Sequence, residues 1–378
     1  MTDQAKAWPC DSWRDPLLIV RLSSLGDVIL SGAMVPLLRS RRPDLTIDFL
    51  TRAQYAPLVA CMPGVRHVIR AEKLAPEGDP SDAAPNIPHD IEPNAAPNAA
   101  PNATPDDRSG FAADYPQVLD LQGGRKGRRA LAPAAPRARR ITYDRAAWKR
   151  RWIVLAGKRV GAAAPVVARF AEAVSGSRPP AGSLRSVIEP PADRLAFVAK
   201  RLTHRPLVVV STSASRPLKA VPGELAERIR QGLIAEGMAV VDLLPPEEVS
   251  RGAHPPGRPE KWGEWFVREP YRGTFRGPLL NAAALLAHAD AVVSSDSGIL
   301  HLAGAVGTPA VGLYGPTSPV LGFPPLGRGR AYGIELACRP CHIHGPRVCW
   351  MGHRRCWRLM RPDDIVAVVA GLLPASGK

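Results

Sequence analysis

The fold is decided by S-S-D-S-G-I-L-H-L-A-G-A-V-G-T-P-A-V-G-L-Y-G-P-T, from Ser294 to Thr317. Just before it, Ala291-Val292-Val293 is too short an apolar run for a helix and is bounded by turn formers, so it predicts a buried strand. Ser295, Asp296 and Ser297 are N-cap residue types, and Ile299, Leu300, Leu302 and Ala303 supply the apolar face of a short helix. A second strand and a second Gly-rich turn follow. Such a unit sets free backbone N–H groups, hydroxyls and the positive end of a helix at the carboxyl edge of a parallel sheet, where a phosphate is well served. An ordinary capped helix in an α/β protein would carry the same residues, so the remainder of the chain has to discriminate.

Upstream, Leu207 to Val210 opens a βα series, Met238 to Leu244 is its second strand, and Leu279 to His288 reads as a helix. The first half has a matching layout. Leu17 to Val20 is a continuous buried strand that enters the turn Ser23-Ser24-Leu25-Gly26-Asp27. A helix is expected from Val28 to Ser40, a strand over Leu45 to Leu50, a helix from Ala53 to Cys61, and strands at Val65 to Ile69 and Val118 to Gln122. The expected fold class is therefore α/β, with two Rossmann-like doubly wound domains facing across a cleft. Residues 1–15 read as a tail, 16–200 as one domain and 201–378 as the other, which ends in a Cys-rich loop over 338–356. Within the first domain, residues 71–110 carry Pro-Asn-Ala repeats with no apolar periodicity, and they read as a disordered surface insertion.

At 378 residues and 45% hydrophobic content, the chain can bury two cores. No apolar run approaches the length of about 20 residues that a bilayer core requires. The first residues lack the apolar stretch of a secretory signal, so a cytoplasmic location is expected, either soluble or peripheral on the cytosolic face of the inner membrane. The formal charge of +16, mostly arginine, suits nucleic acid, an anionic membrane face, or a substrate with phosphates and carboxylates. The clusters Arg125-Lys126-Gly127-Arg128-Arg129 and Arg137-Ala138-Arg139-Arg140 have no interleaved aromatics for base stacking, which argues against nucleic acid.

Several residues could carry chemistry. Asp27 is either a first-turn helix cap or a carboxylate at the mouth of the cleft, able to act as a general base. Ser23 and Ser24 add donors to its turn, and Gly26 allows close backbone approach. Ser211, Thr212 and Ser213 can donate to a phosphate that Lys219 neutralises; with Asp296, Ser297 and Gly298 they form a two-loop diphosphate clamp at adjacent strand ends. His301, one turn beyond Ser297, is either a structural histidine or a neighbour of the ligand. Cys338, Cys341, Cys349 and Cys356 read as a structural zinc or iron site or as four reduced thiols, since only the first pair has a standard metal-knuckle spacing.

Four ordered motifs, R-L-S-S-L-G-D-V-I-L (Arg21 to Leu30), V-L-D-L-Q-G (Val118 to Gly123), S-S-D-S-G-I-L-H-L (Ser294 to Leu302) and Y-G-P-T (Tyr314 to Thr317), resemble glycosyltransferase family nine, the bacterial ADP-heptose:lipopolysaccharide heptosyltransferases. The resemblance implies a GT-B fold and an inverting reaction that needs no catalytic cofactor. It implies Asp27 as general base, Lys219 on the donor phosphates, and Asp296, Ser297, Gly298, Gly315 and Thr317 around the donor, with His301 close by. ADP-heptose and an anionic lipopolysaccharide-core acceptor would be the partners; the oligomeric state is not implied. The chain departs from the family pattern where Lys219 is followed by Ala220-Val221-Pro222, at Ser318, and where the expected acidic ribose contact falls in L-L-P-P-E-E-V-S, leaving Glu247 or Glu248 for that part.

Overall fold

Leu17-Leu18-Ile19-Val20 becomes strand β1 (Leu17–Val20), with every side chain buried at the middle of a parallel sheet. An unbroken apolar run suits a strand that is covered on both faces. In the computed structural model, which describes residues 12–71, 104–105, 114–157, 161–202, 204–244, 264–269 and 271–373, β1 lies between β2 (Ile47–Thr51) and β5 (Gln117–Asp120). β3 (Val65–Arg70), the two-residue β4 (Thr104–Pro105) and β6 (Arg139–Thr142) complete the order β4-β3-β2-β1-β5-β6. The Pro-Asn-Ala stretch read as an insertion lies mostly outside the described residues, and β4 is the part of it that joins the sheet.

The second sheet repeats this plan around β7 (Leu207–Ser211). Its neighbours are β8 (Ala239–Leu244), β9 (Glu264–Glu269), β10 (Arg272–Arg276), β11 (Ala291–Ser295), β12 (Ala310–Leu313) and β13 (Arg330–Tyr332), ordered β13-β12-β11-β7-β8-β10-β9. Among the described residues of this sheet, only the β10–β9 pair is antiparallel. No strand was expected at β9 or β10. β6 was likewise unexpected. Its Arg140 pairs with Asp120, a fully buried carboxylate at the end of β5, so part of the cationic cluster is internal structure.

The helices are α1 (Leu25–Ser31), α2 (Met34–Arg41), α3 (Ala56–Val59), α4 (Gly124–Ala134), α5 (Ala147–Ala156), α6 (Val166–Ser175), α7 (Ala192–Ala199), α8 (Gly223–Ala235), α9 (Leu279–His288), α10 (Gly298–Ala305), α11 (Arg355–Arg358) and α12 (Pro362–Ala370). The single helix expected from Val28 to Ser40 is broken into α1 and α2 at Gly32-Ala33. There a Cβ on Gly32 would lie 2.8 Å from both Met62 Sδ and Ser186 Oγ, so the break lets two other segments close in.

The two sheets do not merely face one another. α1 packs directly on α10, and one apolar cluster holds Val28 and Ile29 from the first lobe with Leu300, Leu302 and Ala303 from the second. Both helices begin at the carboxyl edge of their sheets, after β1 and β11. The lobes therefore meet through the two turns from which chemistry was expected.

Candidate active site

Asp27 is the third residue of α1 and reaches back over its own N-terminus. Its Oδ2 accepts from the Ser24 backbone N–H at 3.2 Å and from the Ser24 hydroxyl at 3.1 Å, and it pairs with Arg21 Nη2 at 2.6 Å. The helix-capping role is thus real, but all three contacts converge on Oδ2 and none of them on Oδ1. Arg21, itself buried, also donates to the Leu121 carbonyl at the end of β5 and lies over the Phe170 ring. The turn is held from below by Gln122, whose Oε1 accepts the backbone N–H groups of Leu22 at 3.0 Å and Ser23 at 3.2 Å. Asp120 in turn accepts the N–H groups of Gln122 and Gly123. The V-L-D-L-Q-G motif therefore fixes the backbone of the Asp27 turn.

Across the contact, Ser297 is the extended N-cap of α10 and its hydroxyl lies 3.3 Å from that of Ser294. Asp296 Oδ2 pairs with Lys219 Nζ at 3.0 Å and accepts from the buried Thr317 hydroxyl at 2.6 Å. Ser295 Oγ donates to the Ser213 carbonyl at 2.6 Å, tying the β11 turn to the β7 turn, and buried Ser211 is in register with Ser294. The Thr212 carbonyl accepts from Val221 N–H, which closes the loop that carries Lys219. Lys219, Ser211, Thr212, Ser213, Asp296, Ser297, Gly298 and Thr317 are thus brought together at the ends of three neighbouring strands, β7, β11 and β12.

His301 joins the two halves. A Cβ on Gly26 would sit 2.8 Å from His301 Cδ2, and one on Gly298 would sit 2.6 Å from Leu25 Cγ. Two glycines thus let the helix starts touch. Burial holds the His301 imidazole below its ordinary range; the charges of Asp296 and Asp27 oppose that shift and Lys219 reinforces it. Its Nδ1 is buried with no hydrogen-bond partner.

Three comparisons with known proteins follow this geometry. The sequence model of "Glycosyltransferase family 9 (heptosyltransferase)" matches residues 273–345. Lipooligosaccharide heptosyltransferase 2 of Haemophilus influenzae is 26% identical over 335 residues, covering 82% of this chain and 86% of that protein. The chain is thus similar to glycosyltransferase family 9. ADP-heptose lps heptosyltransferase II of E. coli superposes with a TM-score of 0.62 at 18% identity, over 94% of this chain and 98% of that one, so this chain has the GT-B fold. TibC from enterotoxigenic E. coli, an iron-containing dodecameric heptosyltransferase solved with ADP-D-beta-D-heptose, superposes at 0.53 with 15% identity, over 95% and 77% of the two chains.

The iron of TibC raises the question of the four late cysteines. Among the described residues, no three His, Cys, Asp or Glu side chains gather to hold a metal ion. The Cys341 thiol donates to the Cys338 carbonyl at 2.9 Å, and burial pushes its pKa up to about 11. Cys356 is buried in the apolar core of the second lobe, its thiol likewise pushed up by burial.

The Cys-rich segment of the glycosyltransferase has another place in the site. Trp357 packs under Gly315, leaving no room for a side chain there, and donates from Nε1 to the Leu218 carbonyl at 2.8 Å, beside Lys219. Arg339 donates to the carbonyls of Tyr314 at 2.6 Å and Thr317 at 2.7 Å. A Cβ on Gly345 would lie 2.5 Å from Lys219 Cγ, so this loop also covers the lysine stem. Gly315 is thereby a packing residue that supports the clamp from behind. Neither Trp357 nor Arg339 stands out in the sequence, because their partners lie far away along the chain.

Arg150 of α5 was also missed. Its guanidinium stacks over Phe323, and its Nε and Nη2 are buried without hydrogen-bond partners. Burial lowers its pKa, repulsion from Arg169 adds to this, and attraction to Asp27 opposes it. The residues 245–250 that carry Glu247 and Glu248 lie outside the described residues. No described helix is long and apolar enough to cross a membrane.

Proposed function

We propose that this chain is a family 9 glycosyltransferase, an inverting heptosyltransferase that moves heptose from ADP-heptose to an anionic sugar of the lipopolysaccharide inner core. The observation that carries this reading is the Gly26–His301 contact. It brings the Asp27 turn of one lobe against the lobe that holds Lys219, Asp296 and the α10 N-terminus. The names of the relatives support the donor: one is an ADP-heptose enzyme and another was solved with ADP-D-beta-D-heptose.

In the proposed reaction the acceptor hydroxyl gives its proton to Asp27 Oδ1 while its oxygen bonds to the anomeric carbon from the face opposite the leaving group. Arg21 and Ser24 hold Oδ2 and aim the carboxylate. The bond to the diphosphate breaks with its electron pair on the departing oxygen. Lys219 and the first N–H groups of α10, with the hydroxyls of Ser211, Thr212, Ser213 and Ser297 nearby, receive that charge in a fixed, partly dehydrated setting. Asp296 orients Lys219 and Thr317 through its two contacts. His301, kept neutral, fills the seam between the lobes and adds no competing charge. Arg150, whose Nε and Nη2 lack hydrogen-bond partners, suits a carboxylate or phosphate of the acceptor.

The test is a donor screen in which ADP-heptose, other ADP-sugars and UDP-sugars are offered with a truncated core acceptor and the product is read by mass. Transfer from ADP-heptose alone supports the reading. Transfer from a UDP-sugar replaces the donor but keeps the machinery, and absence of transfer from every donor leaves only a nucleotide-sugar binder.

A further inference from the structure

Helix α5 shows solvent an unusual face. Its residues advance about 100° per position, which places Trp148, Trp152 and Leu155 in one stripe. These side chains are 74%, 56% and 78% exposed. The helix is not loose. Ile153 on its opposite side is fully buried against Ala163 and Leu321, and Arg150 stacks on Phe323. Large apolar groups are thus held outward by a firmly seated helix.

Cations border the stripe on both sides. Lys149 and Arg151 are exposed on either flank, and the Arg151 guanidinium lies 5.6 Å from the Trp148 ring centroid. From Arg145 to Ala171 the sequence contains no Asp or Glu. Arg145 packs at the opening of α4, 3.7 Å from where a Gly123 Cβ would lie, and joins α5 to the exposed Arg125, Lys126, Arg128 and Arg129. A band of Trp and Leu flanked by Lys and Arg is the composition of a helix that lies in a membrane interface, where apolar burial and attraction to anionic headgroups act together.

We infer that the outer face of α5, with the cationic start of α4, docks on an anionic phospholipid surface. A second copy of the chain is a poor occupant, since a symmetric pair would press these cationic flanks together. A recess of about 580 Å³ opens beside α5, lined among others by Trp148, Lys149, Arg169 and Arg178. Docking would bring a lipid-linked anionic acceptor to that recess. This last step rests on the proposed acceptor, whereas the lipid contact itself does not.

The test uses the full chain and sedimented vesicles of phosphatidylethanolamine with phosphatidylglycerol, against vesicles of phosphatidylcholine alone. The account expects binding to the anionic vesicles, weakened about tenfold by Trp152→Ser/Leu155→Ser and, separately, by Arg151→Glu. Thermal stability and transfer to a soluble core fragment are retained in these variants. Equal sedimentation of wild type and variants, no sedimentation at all, or a concentration-dependent dimer lost in Trp152→Ser/Leu155→Ser would overturn it. Because sedimentation reads no turnover, failure of the donor screen and failure of docking are separate results.

Discussion

Gly26 of the first lobe lies so close to His301 of the second that an added methyl carbon would stand 2.8 Å from the imidazole Cδ2. The ring cannot swing away, because it is buried among both helix starts. Gly26→Ala is therefore expected to force α1 and α10 apart. The cost should be about 2 kcal/mol of stability, with a larger proportional loss of transfer, as judged by thermal unfolding and initial rates. Normal turnover in Gly26→Ala would mean that the lobes need not meet through this contact.

Lys219 is held by Asp296 in a setting where both side chains are largely buried. Lys219→Met removes the fixed cation proposed for the departing diphosphate. The rate should drop about a hundredfold, with weaker donor binding measured by calorimetry. A rate within a few-fold of wild type would assign the leaving-group charge elsewhere.

How much of this could be read from the chain varies with how local the cause is. β1, β7, β11 and α9 were legible because continuous apolar runs and 3.6-residue periodicity are local properties of Leu17–Val20, Leu207–Ser211, Ala291–Ser295 and Leu279–His288. The break at Gly32 was not, since it answers to Met62 and Ser186. β6 was hidden because its arginines read as surface charge until Arg140 is seen on buried Asp120. In the site, Asp27, Lys219 and Asp296 announce themselves by type and turn position. Arg21, Trp357 and Arg339 act through carbonyls and carboxylates that no spacing rule connects to them.

His301 supplies a pH dependence of stability. Its folded pKa lies below the ordinary 6.5, so between these values the unfolded chain binds the proton and the folded one does not. The contribution to stability is full above about 6.5 and falls as the pH drops through the window beneath it. His301→Gln should flatten that part of the curve relative to wild type in urea titrations at several pH values. Parallel curves for the two proteins would show that the imidazole is not the titrating group.

Trp357 ties the Cys-rich segment to the lysine loop through the Leu218 carbonyl. Trp357→Phe keeps most of the packing under Gly315 but removes the donor. About 1 kcal/mol of stability should be lost, together with a rise in the KM for the donor while that for the acceptor stays put. An unchanged donor KM would limit the segment to a folding role.

The account stands on Asp27 as the group that takes the acceptor proton, and Asp27→Asn isolates it. The asparagine is of the same size as the aspartate but cannot accept the proton. Single-turnover transfer, followed beside a donor-binding isotherm, is predicted to slow by about 10²- to 10⁴-fold with donor affinity unchanged. Transfer at the wild-type rate in Asp27→Asn would contradict it.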